Sequence, residues 1–145
     1  RSGFVAGDAA ILKKFLLYRT YHGCAMAPPV QTASVAAWND EAHVLDNRNQ
    51  YREKFAACTP LIGEVLGTGM PDASFYLWAK TPGADTDFAR GLLEHYNVVV
   101  LPGSFLAREI RGVNPGANFV RIALVASLAE CLEATQRIRL FAQQL

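Results

Sequence analysis

The chain is short of everything that would make its role obvious. Its 14 Lys and Arg nearly balance its 13 Asp and Glu, leaving a net charge of +1, and neither half departs far from neutrality. A basic face for nucleic acid is therefore not expected. No apolar run reaches the roughly 20 residues that a membrane helix needs, so no membrane partner is read from it. The three cysteines, Cys24, Cys58 and Cys131, are odd in number and far apart. That argues against a disulfide framework and against a zinc site, and fits a reducing cytoplasm. Common catalytic motifs are missing as well: no Gly-x-Ser-x-Gly elbow, no phosphate-binding P-loop, no His-Glu-x-x-His. Gly67-x-Gly69 lacks the rest of a dinucleotide fingerprint and reads as a turn. No signal-peptide pattern, internal repeat or low-complexity tract is present.

What is present is an apolar chain long enough to bury a core: 145 residues, 51% hydrophobic. Its most informative stretch is Asn118-Phe119-Val120-Arg121-Ile122-Ala123-Leu124-Val125. By the period-2 rule Phe119, Arg121, Ala123 and Val125 share one face, and Val120, Ile122 and Leu124 the other. With both faces apolar, the strand is expected to be buried. Arginine cannot shed its charge, and an unpaired buried charge is costly. Arg121 therefore demands an anion, and its planar fork suits a carboxylate. That anion is either a substrate or an internal Asp or Glu; the residues alone favour neither.

The rest alternates helix and strand. Ser2–Gly7 reads as a short strand. Asp8 can cap a helix with Ile11, Leu12, Phe15 and Leu16 on its apolar face. A loop from Tyr21 is closed by Pro28 and Pro29, and Pro29 can sit in the first turn of the next helix. Helical composition then runs from Val30 to about Glu64, with Val44, Leu45, Tyr51, Phe55 and Cys58 inward, and Pro60 is expected to kink or end it. Gly67–Asp72 is a turn cluster. Phe75–Lys80 reads as a strand apolar on both faces. A helix from Asp85 carries Phe88, Leu92 and Leu93 inward, and Val98–Leu101 reads as another strand. Ser127 and Glu130 form a capping box opening a last helix, with Leu128, Cys131, Leu132, Ile138, Phe141 and Leu145 on one side. The fold class is α/β or an α+β sandwich, helices against a small sheet. His43 and His95 sit on helices as ordinary surface or boundary residues; His22, in the proline-closed loop, is less easily set aside. A bland alternative is a stand-alone binding or dimerisation module.

Leu101-Pro102-Gly103-Ser104-Phe105, then Asn114-Pro115-Gly116, then Phe119-Val120-Arg121-Ile122-Ala123-Leu124 resembles the C-terminal part of the pyridoxal-phosphate-dependent class I aminotransferases. Arg1-Ser2-Gly3-Phe4-Val5-Ala6-Gly7-Asp8 resembles the family's Arg-x-Gly stretch, and Pro28-Pro29 with Gln31 loosely matches a helix start. Tyr18–Met26, Ala36-Ala37-Trp38 and Tyr51–Phe55 are similar to the bacterial succinyldiaminopimelate aminotransferases of lysine biosynthesis. The likeness runs over nearly the whole chain.

The resemblance implies an aspartate-aminotransferase-like fold. Residues 1–35 would be the end of the large cofactor-binding domain, its last strand and helices, and residues 36–145 the C-terminal small domain. It makes Arg121 the arginine for the substrate α-carboxylate and Arg1 a holder of the phosphate of pyridoxal 5′-phosphate. Tyr21, His22 and Gly23 lie where the partner of a homodimer offers contacts to the far end of the substrate. Phe105 and Asn114 would flank the substrate mouth. The lysine that joins the cofactor would lie just before Arg1, so this chain alone is expected to be inactive and to contain no catalytic residue. The parent would act on amino-acid and 2-oxo-acid substrates in the cytoplasm. Two related alternatives stand beside it: a β-lyase or synthase on the same fold, and an aminotransferase-like sensor domain of a transcription regulator.

Overall fold

A computed structural model describes residues 2–23 and 25–145. They divide into two compact units, 1–46 and 47–145, the division falling inside a helix.

In the first unit, α1 (Ala9–Tyr21) begins at Asp8, whose carboxylate accepts from the amides of Ala10 and Ile11 at 2.9 and 3.0 Å. This satisfies two of the donors a helix start leaves unpaired. A second helix, α2 (Pro28–Trp38), opens on the proline pair, whose missing N–H groups would have had no partner there. Neither helix contains a buried residue, and Ile11, Phe15 and Leu16 are exposed. Ser2–Gly7 forms no strand. A strand needs a neighbour for its backbone groups, and residues 2–46 provide no other strand among those described. Phe4 instead meets the Trp38 ring edge-on at 5.8 Å, and the Ser2 and Ser34 hydroxyls are 2.6 Å apart.

The single helix expected over 30–64 is two. Asn39–Glu41 separates α2 from α3 (Ala42–Gly63), with the Asp40 carboxylate accepting from the Ala42 amide at 3.0 Å. Side chains of this type compete with the backbone ladder, which is why they interrupt helices. Pro60 lies inside α3 rather than at its end. Buried Phe55, Cys58, Thr59 and Ile62 surround it, and tertiary packing outweighs the local penalty. Leu45, expected inward, is exposed.

The second unit holds the core. A three-stranded antiparallel sheet has the order β1 (Tyr76–Lys80), β3 (Phe119–Ala123), β2 (Leu101–Pro102). The Val98–Leu101 strand shrinks to Leu101–Pro102. Leu77, Ala79, Val120, Ile122 and Leu124 are buried. They join Phe55, Cys58 and Ile62 of α3, Phe88 and Leu92 of α4 (Asp85–Tyr96), and Cys131, Ile138 and Phe141 of α5 (Leu128–Ala142) in one apolar cluster. The capping box at Ser127 and Glu130 forms as expected, but Leu93, Leu128 and Leu145 are exposed. Cys58 and Cys131 are free buried thiols, and burial pushes the Cys131 thiol up.

Both strands expected to be buried on two faces are buried on one. Trp78 on β1 is exposed, and Phe119 and Arg121 on β3 are half-buried. Their apolar appearance comes from aromatic rings that stack on one another, not from a second core layer.

Candidate functional site

The open face of this sheet is built around Arg121. In the register, Arg121 faces Trp78 of β1 and Leu101 of β2, while Tyr76 faces Ala123 and Lys80 faces Phe119. The side chains pair diagonally. Trp78 stacks on Phe119, 5.7 Å between centroids and 14° between planes. The Arg121 guanidinium lies 5.5 Å from the centre of the Tyr76 ring, within cation–π range. Its head is thus held at the Tyr76 ring.

Arg121 Nε is buried and has no hydrogen-bond partner, and Arg121 makes no ion pair with any described residue. The internal carboxylate that the sequence alone allows is therefore not found among the described residues. A buried, unpaired donor on a permanently charged group is an unfavourable arrangement. An incoming carboxylate would relieve it through two parallel hydrogen bonds.

The loop in front of β3 is fixed by close backbone approach. A Cβ on Gly103 would stand 2.8 Å from both Phe119 O and Trp78 Cη2 and would overlap Gly116 O; one on Gly116 would overlap Gly103 O. Only glycines allow this crossing. Asn114 Nδ2 donates to Ser104 O at 3.0 Å, and its Oδ1 accepts from the Gly116 amide at 2.9 Å. Asn114 thus braces the loop, and Phe105, in the 3₁₀ turn Gly103–Phe105, is exposed. Asp85, at the first turn of α4, accepts from the amides of Ser104 and Asn118 at 2.9 and 3.2 Å. Burial alone would raise its pKa, but the hydrogen bonds from Ser104 and Asn118 outweigh that and hold it below the ordinary Asp value.

Tyr21, His22 and Gly23 lie in the first unit, at the C-terminal end of α1. Tyr21 is 84% exposed. The His22 amide donates to Tyr18 O at 3.0 Å, and the His22 ring meets Tyr18 edge-on at 5.1 Å. Gly23 has φ +148, and a Cβ there would overlap the Arg19 guanidinium. An open groove of about 700 Å³ is lined by Lys14, Leu17, Tyr18, Tyr21 and His22. Arg1, expected at the cofactor phosphate, and Cys24, within the loop, lie outside the described residues. No metal-binding group of His, Cys, Asp and Glu occurs among the described residues. Sequence reasoning missed Tyr76, Trp78 and Asp85 as parts of this site. The cross-strand pairing of Phe75–Lys80 with 118–125 was the one signal that could have brought the two rings to Arg121.

The model for aminotransferase class I and II fits residues 1–138, and the chain belongs to that family. It is 57% identical to an aminotransferase of Neisseria meningitidis of solved structure (TM-score 0.83), over 95% of this chain and 35% of that one. A probable N-succinyldiaminopimelate aminotransferase from Thermus thermophilus is 36% identical (TM-score 0.59) over 71% of this chain and 27% of its own. A probable aminotransferase of Mycobacterium tuberculosis is 34% identical over 139 residues, 95% of this chain and 32% of the relative. The chain spans about a third of the length of the curated relatives it matches.

Proposed function

We propose that the full-length protein is a pyridoxal-phosphate-dependent aminotransferase, moving an amino group between an amino acid and a 2-oxo acid. The observation that carries this is the buried, partnerless Nε of Arg121 on the open face of the sheet. Arg121 would bind and orient the substrate α-carboxylate. Pyridoxal phosphate, when bound, supplies the electron sink for the carbanion formed at that carbon. Arg1 would be the residue that holds its phosphate. Residues 1–35 close the large cofactor domain and residues 36–145 form the small domain.

The amino donor in this reading is N-succinyl-diaminopimelate, which places the enzyme in lysine biosynthesis in the cytoplasm. Support comes from the relative of that printed name and from the loop chemistry. Tyr21, His22 and the Gly23 backbone are donors suited to the distal anionic arm, reached from across a homodimer interface. Exchanging residues 21–26 for the loop of an aspartate-type enzyme should change the preference among donors. An unchanged profile in an active dimer would remove the loop from the reading.

The deciding experiment is Arg121→Lys in the full-length protein. Lysine keeps charge and loses the fork. Transition-state stabilisation for amino-acid substrates should fall by about 1.5–3 kcal/mol. Wild-type kcat/KM, or loss of folding, would make Arg121 structural. The 145-residue chain alone, mixed with pyridoxal phosphate and reduced with borohydride, should carry no stoichiometric adduct on Lys13 or Lys80.

A further inference from the structure

Asp85 is 4% exposed and charged, yet it forms no ion pair with any described residue. Its two oxygens accept from the amides of Ser104 and Asn118, 19 and 33 residues away. Ser104 lies just past β2, whose Leu101 pairs with Arg121. Asn118, at φ +63, is the residue before β3. Its carbonyl accepts from the amide of Thr81, the residue after β1, at 2.8 Å. One buried carboxylate therefore ties the turn after β2 to the residue before β3, and through the Asn118 carbonyl to the end of β1, and the guanidinium whose Nε lacks a partner sits three residues from one of its ligands. A helix N-terminus supports the charge, but a cap for α4 needs neither of these distant amides.

We propose that Asp85 is a positioning residue for substrate carboxylate recognition: it sets the strand ends that aim Arg121. The inference rests on the carboxylate-binding reading of Arg121. An asparagine is nearly isosteric, but it offers one acceptor and one N–H₂, so it holds one amide and repels the other. Freed at Asn118, the start of β3 shifts and carries the guanidinium off line.

The test compares an amino-acid substrate with its carboxamide analogue in the full-length, cofactor-loaded enzyme. Asp85→Asn should raise KM for the amino acid and lower kcat/KM about tenfold, since misplacement of a binding group by a fraction of an ångström has effects of that order. The preference for carboxylate over carboxamide should fall by the same factor. In an Arg121→Lys background, Asp85→Asn should add less than about twofold, because the two act through one contact. If Asp85→Asn does not fold, Asp85→Ser, which keeps one acceptor and a favourable helix start, is read the same way. Equal losses for both substrates, or an unchanged preference, would make Asp85 a purely structural clamp and overturn the proposal. If Arg121→Lys itself leaves the preference unchanged, the carboxylate reading fails instead, and the two failures are told apart.

Discussion

Residues 2–46 and 47–145 are built from the same kinds of local signal and end in opposite states. α1 has a carboxylate cap and α5 a full capping box. Yet α5 buries Cys131, Thr135, Ile138 and Phe141, whereas α1 and α2 bury nothing. In the first unit Ile11, Leu16, Leu17, Val35 and Trp38 all stand exposed. A cap decides where a helix starts; it does not supply the surface that covers an apolar side chain.

The largest test of this contrast is Ile62→Ala against Leu17→Ala in the 145-residue chain, followed by chemical denaturation. Ile62 is fully buried, and its truncation should remove about 2–5 kcal/mol. Leu17 is exposed, and its truncation should stay within about 0.5 kcal/mol. Equal effects would mean that the first unit has a core of its own. Next in size is Gly116→Ala. The new methyl meets the Gly103 carbonyl, backbone against backbone, so relief requires moving the crossing. A loss of about 1–3 kcal/mol is expected, with the near-ultraviolet signal of Trp78 altered.

Caps come third. Asp8→Ala and Ser127→Ala should each cost about 1 kcal/mol of local helix stability. The consequences differ: α1, with no packed face, should lose helical circular dichroism, while α5 should keep its helix and show only a lower Tm. Equal loss of helicity would break the comparison. The smallest effect is in acid. Asp85 has a folded pKa below its ordinary value, so its contribution is complete above the unfolded pKa, about 3.9, and fades as pH falls through the lower folded value. Asp85→Asn should flatten that acid limb. Asp40 is also lowered, first by its hydrogen bond with His43, but both are exposed, and Asp40→Asn should leave the limb unchanged.

The legible parts of the sequence were those with a local cause. The caps at Asp8 and Ser127, the proline start of α2 and the inward pair Phe88 and Leu92 all follow from spacing within one turn or two. The demand of Arg121 for an anion was equally local, because no rotamer of arginine removes its charge. Less legible was which face of β1 and β3 is open. Trp78 and Phe119 look like core residues until the antiparallel register stacks one on the other. Asp85 was invisible as a hub, since an Asp at a helix start already has a sufficient local reason to be there. Its real ligands lie in segments that only the folded chain brings close.

β3 is the middle strand, with both of its edges occupied. Slipping it by one residue would exchange its faces, sending Arg121 into the space of Val120 and Ile122 and turning those two toward water. That misalignment would place a permanent charge in the apolar cluster to which Val120 and Ile122 belong. Arg121 therefore also helps to fix the register of β3. A chain whose strands have zipped one notch out of line is thus disfavoured twice, by a charge placed among apolar side chains and by two apolar side chains turned to water.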